Sequence, residues 1–270
     1  MFSDDTKFAR RVAPLLNKVL IVDPNPASAR LLTELLRNIG NATVAVADSN
    51  ARGLVLARQM DPRVIFVELS GDKTDGVAFT RELRRSHLHA RKAPVIVVTS
   101  TATAAGIMAA RDAGVHEFLR KPYVSKDLMR RLDAVLRPRD WIEAVAYVGP
   151  DRRRFNSAEY AGPRKRQSDA TMSDADRILQ ALRIIRSAIL AMNVDPAQAL
   201  RALKVQAQEL QVRSKSVGDP ALGVAAAAFY SYLVDATERG IMDPAEAVTK
   251  AGPLLARLPR ETPQPERKAG

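Results

Sequence analysis

Residues 62–76, PRVIFVELSGDKTDG, contain the features that decide the fold. Residues 64–67 are a short apolar run that predicts a buried strand, and the run ends in an acidic residue, Glu68. A polar loop with Gly71 and Asp75-Gly76 follows, and a helix begins behind it. A carboxylate at the carboxyl end of a buried parallel strand lies where open α/β sheets place their binding and catalytic groups.

Similar apolar runs alternate with helical patterns along the first half of the chain. Strands are predicted at residues 18–22, 42–47, 64–67, 95–98 and 116–119, each followed by a stretch with helical spacing. This alternation predicts an α/β fold, a five-stranded doubly wound parallel sheet covered by helices on both faces.

Polar residues that follow these strands resemble the motifs of CheY-like response-regulator receiver domains over residues 18–137. That family has an acidic pair after the first strand, Asp after the third, Thr or Ser after the fourth, an aromatic residue in the fifth, and then Lys-Pro. The corresponding residues here are Asp23, Glu68, Thr99, Phe118 and Lys121-Pro122. The resemblance implies a flavodoxin-like receiver, with Glu68 at the phosphoacceptor position.

Two residues depart from the family pattern. Pro24 replaces the second acidic residue, which the resemblance implies is a direct magnesium ligand, and Glu68 replaces the phosphoacceptor Asp. Mg²⁺ requires oxygen ligands in tight octahedral geometry, and a displacement of about 1 Å can lower a rate roughly 100-fold. We therefore expect a degenerate pseudo-receiver. Its pocket is either inert or held in an active-like state by Glu68 reaching towards Thr99 and Lys121, and residual metal-dependent phosphorylation is the third alternative.

Composition excludes some functions and favours others. The chain has no cysteine, which excludes disulfides and thiolate chemistry, and no apolar run of membrane-spanning length, so we expect a cytoplasmic protein. His87, His89 and His116 lack metal-site spacing, so no metal site and no cofactor are expected. The net charge of +12 favours an anionic partner, although it is also compatible with a solvated basic surface.

Residues 138–172 have no apolar periodicity and are predicted to be an arginine-rich linker or arm. They contain two similar units, each with a tyrosine, a Gly-Pro turn and a basic cluster. The candidate nucleotide-binding or anion-binding residues are Tyr147, Arg152, Arg153, Arg154, Tyr160, Arg164, Lys165 and Arg166. Arginine binds phosphate bidentately and stacks on bases. The arm resembles the arginine-rich tail of some alphaproteobacterial receivers, which implies cyclic di-GMP as a ligand. A solvated linker and a nucleic-acid or membrane contact are the alternatives.

Residues 173–258 are predicted to form an all-α bundle of four helices. Ser173 with Asp176 resembles a capping box, and Asp-Pro-Ala recurs at residues 195, 219 and 243, where Asp suits the N-cap and Pro the first helical position. Gln208-Glu-Leu210, followed by Gly218, resembles the phosphotransfer-domain pattern around its reactive His. The resemblance implies that Gln208 is a docking residue, and a generic bundle with an exposed Gln is the alternative. Residues 1–17 are predicted to be an N-terminal arm or a short helix, and residues 259–270 to be disordered.

Together these features predict a non-enzymatic signal-transduction adaptor. The expected partner is a signalling protein of a two-component system or phosphorelay: a histidine kinase, a receiver or a flagellar motor component. The alternatives are a phosphorylatable response regulator and a nucleic-acid-binding regulator that uses the basic arm, of which nucleic-acid binding is the less favoured.

Overall fold

The computed structural model describes residues 2–137, 139–151, 173–240 and 242–259, and side chains from residue 7 onward within these ranges. The chain divides into two compact units. One comprises Met1–Ile142 with Tyr147–Arg153, and the other comprises Glu143–Ala146 with Arg154–Gly270.

The first unit is built on a five-stranded parallel sheet with the order β2-β1-β3-β6-β7. Its strands are β1 (Val19–Val22), β2 (Val44–Ala47), β3 (Val64–Glu68), β6 (Val95–Thr99) and β7 (Glu117–Arg120). β1 lies between β2 and β3 and pairs with both. After β2 has been added on one side of β1, the following strands are therefore added on the other side. The predicted fold class is confirmed.

Helices cover both faces of this sheet because its central strands are apolar on both sides. Val64 and Phe66 of β3 point into a core shared with α1, α2 and α6, whereas Ile65 and Val67 point into a core shared with α3 and α4. These helices are α1 (Phe2–Leu16), α2 (Pro26–Ile39), α3 (Asn50–Met60), α4 (Gly76–Arg85), α5 (Ala104–Asp112) and α6 (Ser125–Leu136), and a 3-10 turn spans His89–Lys92.

The loops after β1 and β3 are shaped by helix caps. Asn25 accepts hydrogen bonds from the backbone N–H groups of Ala27 and Ser28, and Asp75 accepts from those of Val77 and Ala78. Between β3 and α4, the short strands β4 (Ser70–Gly71) and β5 (Thr74–Asp75) form an antiparallel pair. These local bonds fix where the chain turns at the carboxyl edge of the sheet.

The segment predicted as an N-terminal arm or short helix is a helix, α1. Val12 and Leu16 are fully buried in the same core as α2 and α6. The segment is therefore part of the packing of the first unit.

The linker prediction for residues 138–172 is corrected within its described part. Residues 141–150 contain two paired strands, β8 (Trp141–Glu143) and β9 (Val148–Pro150). The predictions for residues 152–172 and for 260–270 lie outside the described residues.

The second unit is a bundle of helices in its described part. They are α7 (Asp174–Leu190), α8 (Pro196–Ser216), α9 (Pro220–Arg239) and α10 (Pro244–Leu255). Each packs against its neighbour in sequence, and α10 also packs against α7. The caps are those expected: Ser173, Asp195, Asp219 and Asp243 each accept a backbone N–H of the following turn. No helix in the described ranges is long and apolar enough to cross a bilayer.

Leu16→Ala should lower the free energy of unfolding of the first unit by about 2–5 kcal/mol, because it removes a fully buried side chain. Leu31→Ala is the matched control on α2, since Leu31 is 49% exposed, and should cost only about 0.5 kcal/mol. Urea denaturation followed by the fluorescence of Trp141, the single tryptophan of the chain, would measure both. Equal losses for the two variants would show that α1 does not belong to the core.

Candidate functional site

The candidate site lies at the carboxyl edge of the sheet. Because β1, β3, β6 and β7 are parallel, the residues at or just beyond their ends come to one edge. Asp23 follows β1, Glu68 ends β3, and Lys121 follows β7. Three of the residues predicted from motif position are therefore brought together.

Lys121 connects the two carboxylates. Its Nζ donates to Asp23 Oδ2 at 3.0 Å and to Glu68 Oε2. Asp23 and Glu68 are 7% and 8% exposed, and the Lys121 side chain is 23% exposed. We call these three side chains the lysine bridge.

The remaining carboxylate oxygens are bonded to the backbone of the same loops. The N–H of Asn25 donates to Asp23 Oδ1 at 2.8 Å, and the N–H of Leu69 donates to Glu68 Oε1 at 3.1 Å. All four carboxylate oxygens of the lysine bridge thus accept a hydrogen bond from within the first unit. The carboxylates are held in place by the protein's own donors.

The charge of Lys121 is stabilised in this arrangement. Burial alone lowers the pKa of Lys121, but the hydrogen bonds and charges of Glu68 and Asp23 outweigh that effect, so its pKa lies above the ordinary value of 10.5. Burial raises the pKa of the neighbouring Tyr123; the charge of Lys121 opposes this shift, and the charges of Asp23 and Glu68 add to it.

Pro24 fits the loop that follows β3. A Cβ atom placed on Gly71 would lie 2.7 Å from Pro24 Cγ and 2.6 Å from Thr74 Oγ1. Glycine at position 71 therefore permits the proline ring to approach closely. Gly76 has a similar role at the start of α4, where a Cβ would lie 2.7 Å from the carbonyl oxygen of Glu68.

Thr99 and Phe118 do not join the lysine bridge. The Thr99 hydroxyl donates to the carbonyl of Thr101 and accepts from the N–H of Thr101, both at 3.0 Å, so it is engaged by its own loop. The expected approach of Glu68 to Lys121 is present, and its hydrogen bonds go to Lys121 and Leu69 rather than to Thr99. Phe118 is half-buried and packs against the core beneath α3 and α4.

A magnesium ion, which the family resemblance implies, does not fit these residues. Pro24 supplies no carboxylate, and the oxygens of Asp23 and Glu68 already accept hydrogen bonds. Within the described ranges, no group of three or more metal-binding side chains could hold an ion. Asp23, Glu68 and Lys121 form an ion-pair network and not a set of magnesium ligands.

A second buried polar cluster, which sequence reasoning missed, surrounds Arg84 of α4. This side chain is 1% exposed. Its guanidinium donates to the carbonyl oxygens of Gly114, Arg91 and Ala93 at 2.6–3.1 Å, and Nη2 lies 3.2 Å from His116 Nδ1. Burial lowers the pKa of Arg84 to about 9, with a smaller opposing effect from Tyr147, so it is a cation at neutral pH.

The segment after α6 packs against this Arg84 cluster. The guanidinium of Arg84 lies 5.3 Å from the ring centroid of Trp141, a cation–π distance. Arg139 donates to Glu117 Oε1 at 2.6 Å and to the carbonyl of His116 at 3.1 Å. Arg84 comes four residues after Thr80, so the two side chains lie on the same face of α4, where Thr80 is buried. Nothing in the sequence indicated that three loop carbonyls would accept hydrogen bonds from the Arg84 guanidinium.

Tyr147 belongs to this packed segment. Its hydroxyl donates to the carbonyl of Pro150 at 2.6 Å, and its ring leaves no room for a side chain at position 149. The hydroxyl of Tyr147 is therefore engaged within this segment, and its role as a stacking plane for a nucleotide stays a prediction, since the side chain is only half-buried. Its proposed companions, Arg152, Arg153, Arg154, Tyr160, Arg164, Lys165 and Arg166, lie outside the described residues.

Gln208 is exposed on α8, as expected for a docking position, and its Nε2 donates to the hydroxyl of Tyr230 on α9 at 3.1 Å. The bundle unit also contains buried amides that sequence reasoning missed. Gln198 Nε2 donates to Glu143 Oε1 and Gln206 Nε2 to the Glu143 carbonyl, at 3.1 and 3.0 Å.

Comparison with known proteins identifies the first unit. Residues 19–133 match the family described as the response regulator receiver domain. The remaining residues fall outside that match.

Curated relatives include two transcriptional regulators and a DNA-binding response regulator. The chain is 34% identical over 122 residues to the KDP operon transcriptional regulatory protein KdpE of Escherichia coli, covering 45% of this chain and 52% of that protein. It is 30% identical over 129 residues to the master transcriptional regulator RpaA of Synechocystis, covering 48% and 53%. It is 26% identical over 120 residues to the DNA-binding response regulator MtrA of Mycolicibacterium smegmatis, covering 44% and 50%. The chain thus spans about half the length of the curated relatives it matches.

Similar solved structures include the chemotaxis protein CheY4 of Vibrio cholerae, with 20% identity, a TM-score of 0.42, and coverage of 44% of this chain and 98% of that one. Another is the receiver domain of the sensor histidine kinase PA1611 of Pseudomonas aeruginosa, with 23% identity, a TM-score of 0.41, and coverage of 44% and 97%.

The Arg84 cluster should make the stability of the first unit depend on pH near neutrality. Burial, and then the charges of Arg84 and Arg139, hold the pKa of His116 well below 6.5, so the unfolded chain binds the proton more tightly than the folded one. Stability should therefore fall as pH drops below about 6.5, by up to about 1.4 kcal/mol per pH unit. Urea denaturation at pH 7.5 and 5.5, followed by Trp141 fluorescence, would measure the loss.

His116→Asn is the matched variant, since the Asn oxygen can accept the Val95 N–H that His116 Nδ1 accepts at 3.3 Å. Between pH 7.5 and pH 5.5, the free energy of unfolding of His116→Asn should fall by less than that of the wild type. An equal pH dependence of the two proteins would mean that His116 titrates normally.

Proposed function

We propose that this protein is a non-enzymatic signalling adaptor whose receiver domain works without phosphorylation of its pocket. The lysine bridge carries the proposal: the carboxylate at the phosphoacceptor position is already engaged by Lys121 and by the Leu69 N–H. The pocket then has a single stable conformation, in which Lys121 is bonded to Asp23 and Glu68.

Carboxylate phosphorylation requires three things that this pocket opposes. An oxygen of the acceptor must be free to attack, but both Glu68 oxygens accept hydrogen bonds. A metal must neutralise the incoming phosphoryl group, but Pro24 lacks the ligand oxygen. The nucleophile must also be placed to within about 1 Å, and Glu68 is one methylene longer than Asp.

Opening the lysine bridge would be costly. Asp23 and Glu68 are largely removed from water, and breaking a buried ion pair by removing one partner typically costs about 3–5 kcal/mol. Lys121 is therefore better suited to hold the acceptor carboxylate than to stabilise a phosphoryl group beside it.

The output of such a receiver would be protein binding. Receiver domains of this family act with histidine kinases or other signalling proteins, and we propose a partner of this class. In the bundle, Gln208 is exposed, and the motif around it resembles that of the phosphotransfer domain; the three histidines of the chain, His87, His89 and His116, all precede it. We propose that the bundle serves docking rather than phosphotransfer.

The other functional hypotheses have less support. DNA binding is named for MtrA and RpaA, proteins that this chain matches over about half their length. Cyclic di-GMP binding stays a prediction that rests on the tyrosines and basic residues of the arm, most of which lie outside the described residues. The lysine bridge favours the adaptor over a phosphorylatable regulator.

Incubation of the full chain with acetyl phosphate and Mg²⁺ should give no phosphorylated carboxylate by intact-protein mass spectrometry. Glu68→Asp alone should not restore phosphorylation, since Pro24 still lacks a ligand oxygen. The double variant Pro24→Asp, Glu68→Asp should become phosphorylated, because it returns both the nucleophile and the ligand.

The matched control is Pro24→Asp, Glu68→Asn, which has the same shape at position 68 but no nucleophilic carboxylate. A phosphorylated carboxylate in the wild-type protein would refute the proposal. Failure of the double reversion would show that the block does not lie in these two residues.

A further inference from the structure

The outer edge of β2 is an unused hydrogen-bonding surface. β2 is the edge strand of the five-stranded sheet, and no strand in the described ranges pairs with its outer side. An open edge presents backbone N–H and C=O groups that can pair with another extended chain.

The register identifies the groups that point outward. The N–H of Val19 donates to the carbonyl of Thr43 and that of Asp23 to the carbonyl of Ala47, both at 2.9 Å. The odd-numbered residues of β2 thus face β1, because alternate residues of a strand bond to a given neighbour. The N–H and C=O groups of Val44 and Val46 therefore face the open side.

An apolar side chain lies beside this edge. Val46 is on the same face of the sheet as Val44, which packs into the core beneath α2, but Val46 itself is 48% exposed. It lines a cleft of about 480 Å³ between β2 and one flank of α2. The cleft thus combines an apolar floor with a free strand edge.

Charged side chains of α2 line the same cleft. They are Arg30, Glu34 and Arg37, and none of them makes a hydrogen bond or ion pair with a described residue. Arg30 and Arg37 are seven residues apart, which places their Cα atoms about 10.5 Å apart along the helix. Glu34 lies between them. Two cations that have no partner among the described residues therefore line the same cleft as Val46.

We propose that this cleft binds an extended segment of a partner protein with the pattern acidic-x-apolar-x-acidic, added as a sixth strand beside β2. Residues at alternate positions of a strand face the same way at intervals of about 6.8 Å, so the two acidic residues are about 13.6 Å apart. The apolar residue covers Val46, and flexible arginine side chains span the remaining few ångströms to the two carboxylates. The backbone groups of Val44 and Val46 hold the segment in register.

Charge favours an acidic partner over a second copy of this chain. The net charge of +12 makes two copies repel each other, whereas it attracts an acidic segment. Two copies meeting at this edge would also bring their unpaired arginines together. This surface shares no residue with the lysine bridge, so the inference is independent of the proposed function.

The probe is a fluorescein-labelled peptide, Gly-Asp-Thr-Val-Thr-Asp-Gly, titrated with the full chain and followed by fluorescence anisotropy. Binding is expected, together with at least tenfold weaker binding by the variant Arg30→Glu, Arg37→Glu. The same peptide with Lys in place of both Asp residues should bind the wild type at least tenfold more weakly than the Asp peptide does. The charge-reversed variant Arg30→Glu, Arg37→Glu should bind this Lys peptide more tightly than the wild type does.

Val46→Pro tests the backbone contacts. Proline removes an N–H that faces the open side, so the ladder to β1 is retained and only the added strand loses a bond. Val46→Thr is the control, and circular dichroism establishes that both variants fold. Val46→Pro should bind the Asp peptide at least tenfold more weakly than Val46→Thr.

Three results would overturn the inference: no binding of the Asp peptide at millimolar concentration, undiminished binding by the charge-reversed variant, or equal binding by the two position-46 variants. Sedimentation of the wild type as a dimer that Val46→Pro dissociates would also overturn it, because the edge would then belong to a second copy.

Discussion

Two carboxylates at neighbouring strand ends would repel each other unless a cation lay between them. Asp23 and Glu68 are in this position, because β1 and β3 pair directly and in parallel, so that their carboxyl ends meet. Both side chains are almost fully buried, and buried charges are tolerated only when they are paired and hydrogen-bonded. Lys121 meets this requirement from the end of β7, two strands away from β3. The geometry of the loops after β1, β3 and β7 thus depends on one ammonium group.

This arrangement changes what the pocket can do. A receiver that responds to phosphorylation needs an acceptor that is free in one state and modified in the other. Here the longer side chain of Glu68 reaches Lys121, and the Leu69 N–H holds its second oxygen. In the proposed function, Pro24 lacks the carboxylate that the family resemblance implies as a metal ligand beside Asp23. The two departures from the family pattern act in the same direction, since each favours the internal ion pair over an exogenous ligand.

The sequence was sufficient for the fold because its signals are local and repeated. Apolar strands such as residues 64–67, and caps such as Asp195, depend on neighbouring residues alone. Motif position also placed Asp23, Glu68 and Lys121 at one edge, because parallel strands bring their carboxyl ends together.

Features that depend on tertiary packing could not be predicted from the sequence. The Thr99 hydroxyl bonds to its own loop, a choice between rotamers that the sequence does not record. Arg84 is buried where three loop carbonyls accept its hydrogen bonds, and the Tyr147 hydroxyl donates to the carbonyl of Pro150 at the end of β9. Charged and aromatic residues such as these are predicted to be exposed when only their neighbours in sequence are considered.

The most direct test of the account is the pKa of the Lys121 ammonium group, measured by NMR of the lysine side chains in the full protein. The pKa should lie above 10.5 in the wild type and should be lower in Glu68→Gln, which keeps the shape of residue 68 but removes its charge. A wild-type pKa at or below 10.5, or one unchanged by Glu68→Gln, would contradict the claim that Glu68 and Lys121 close the pocket.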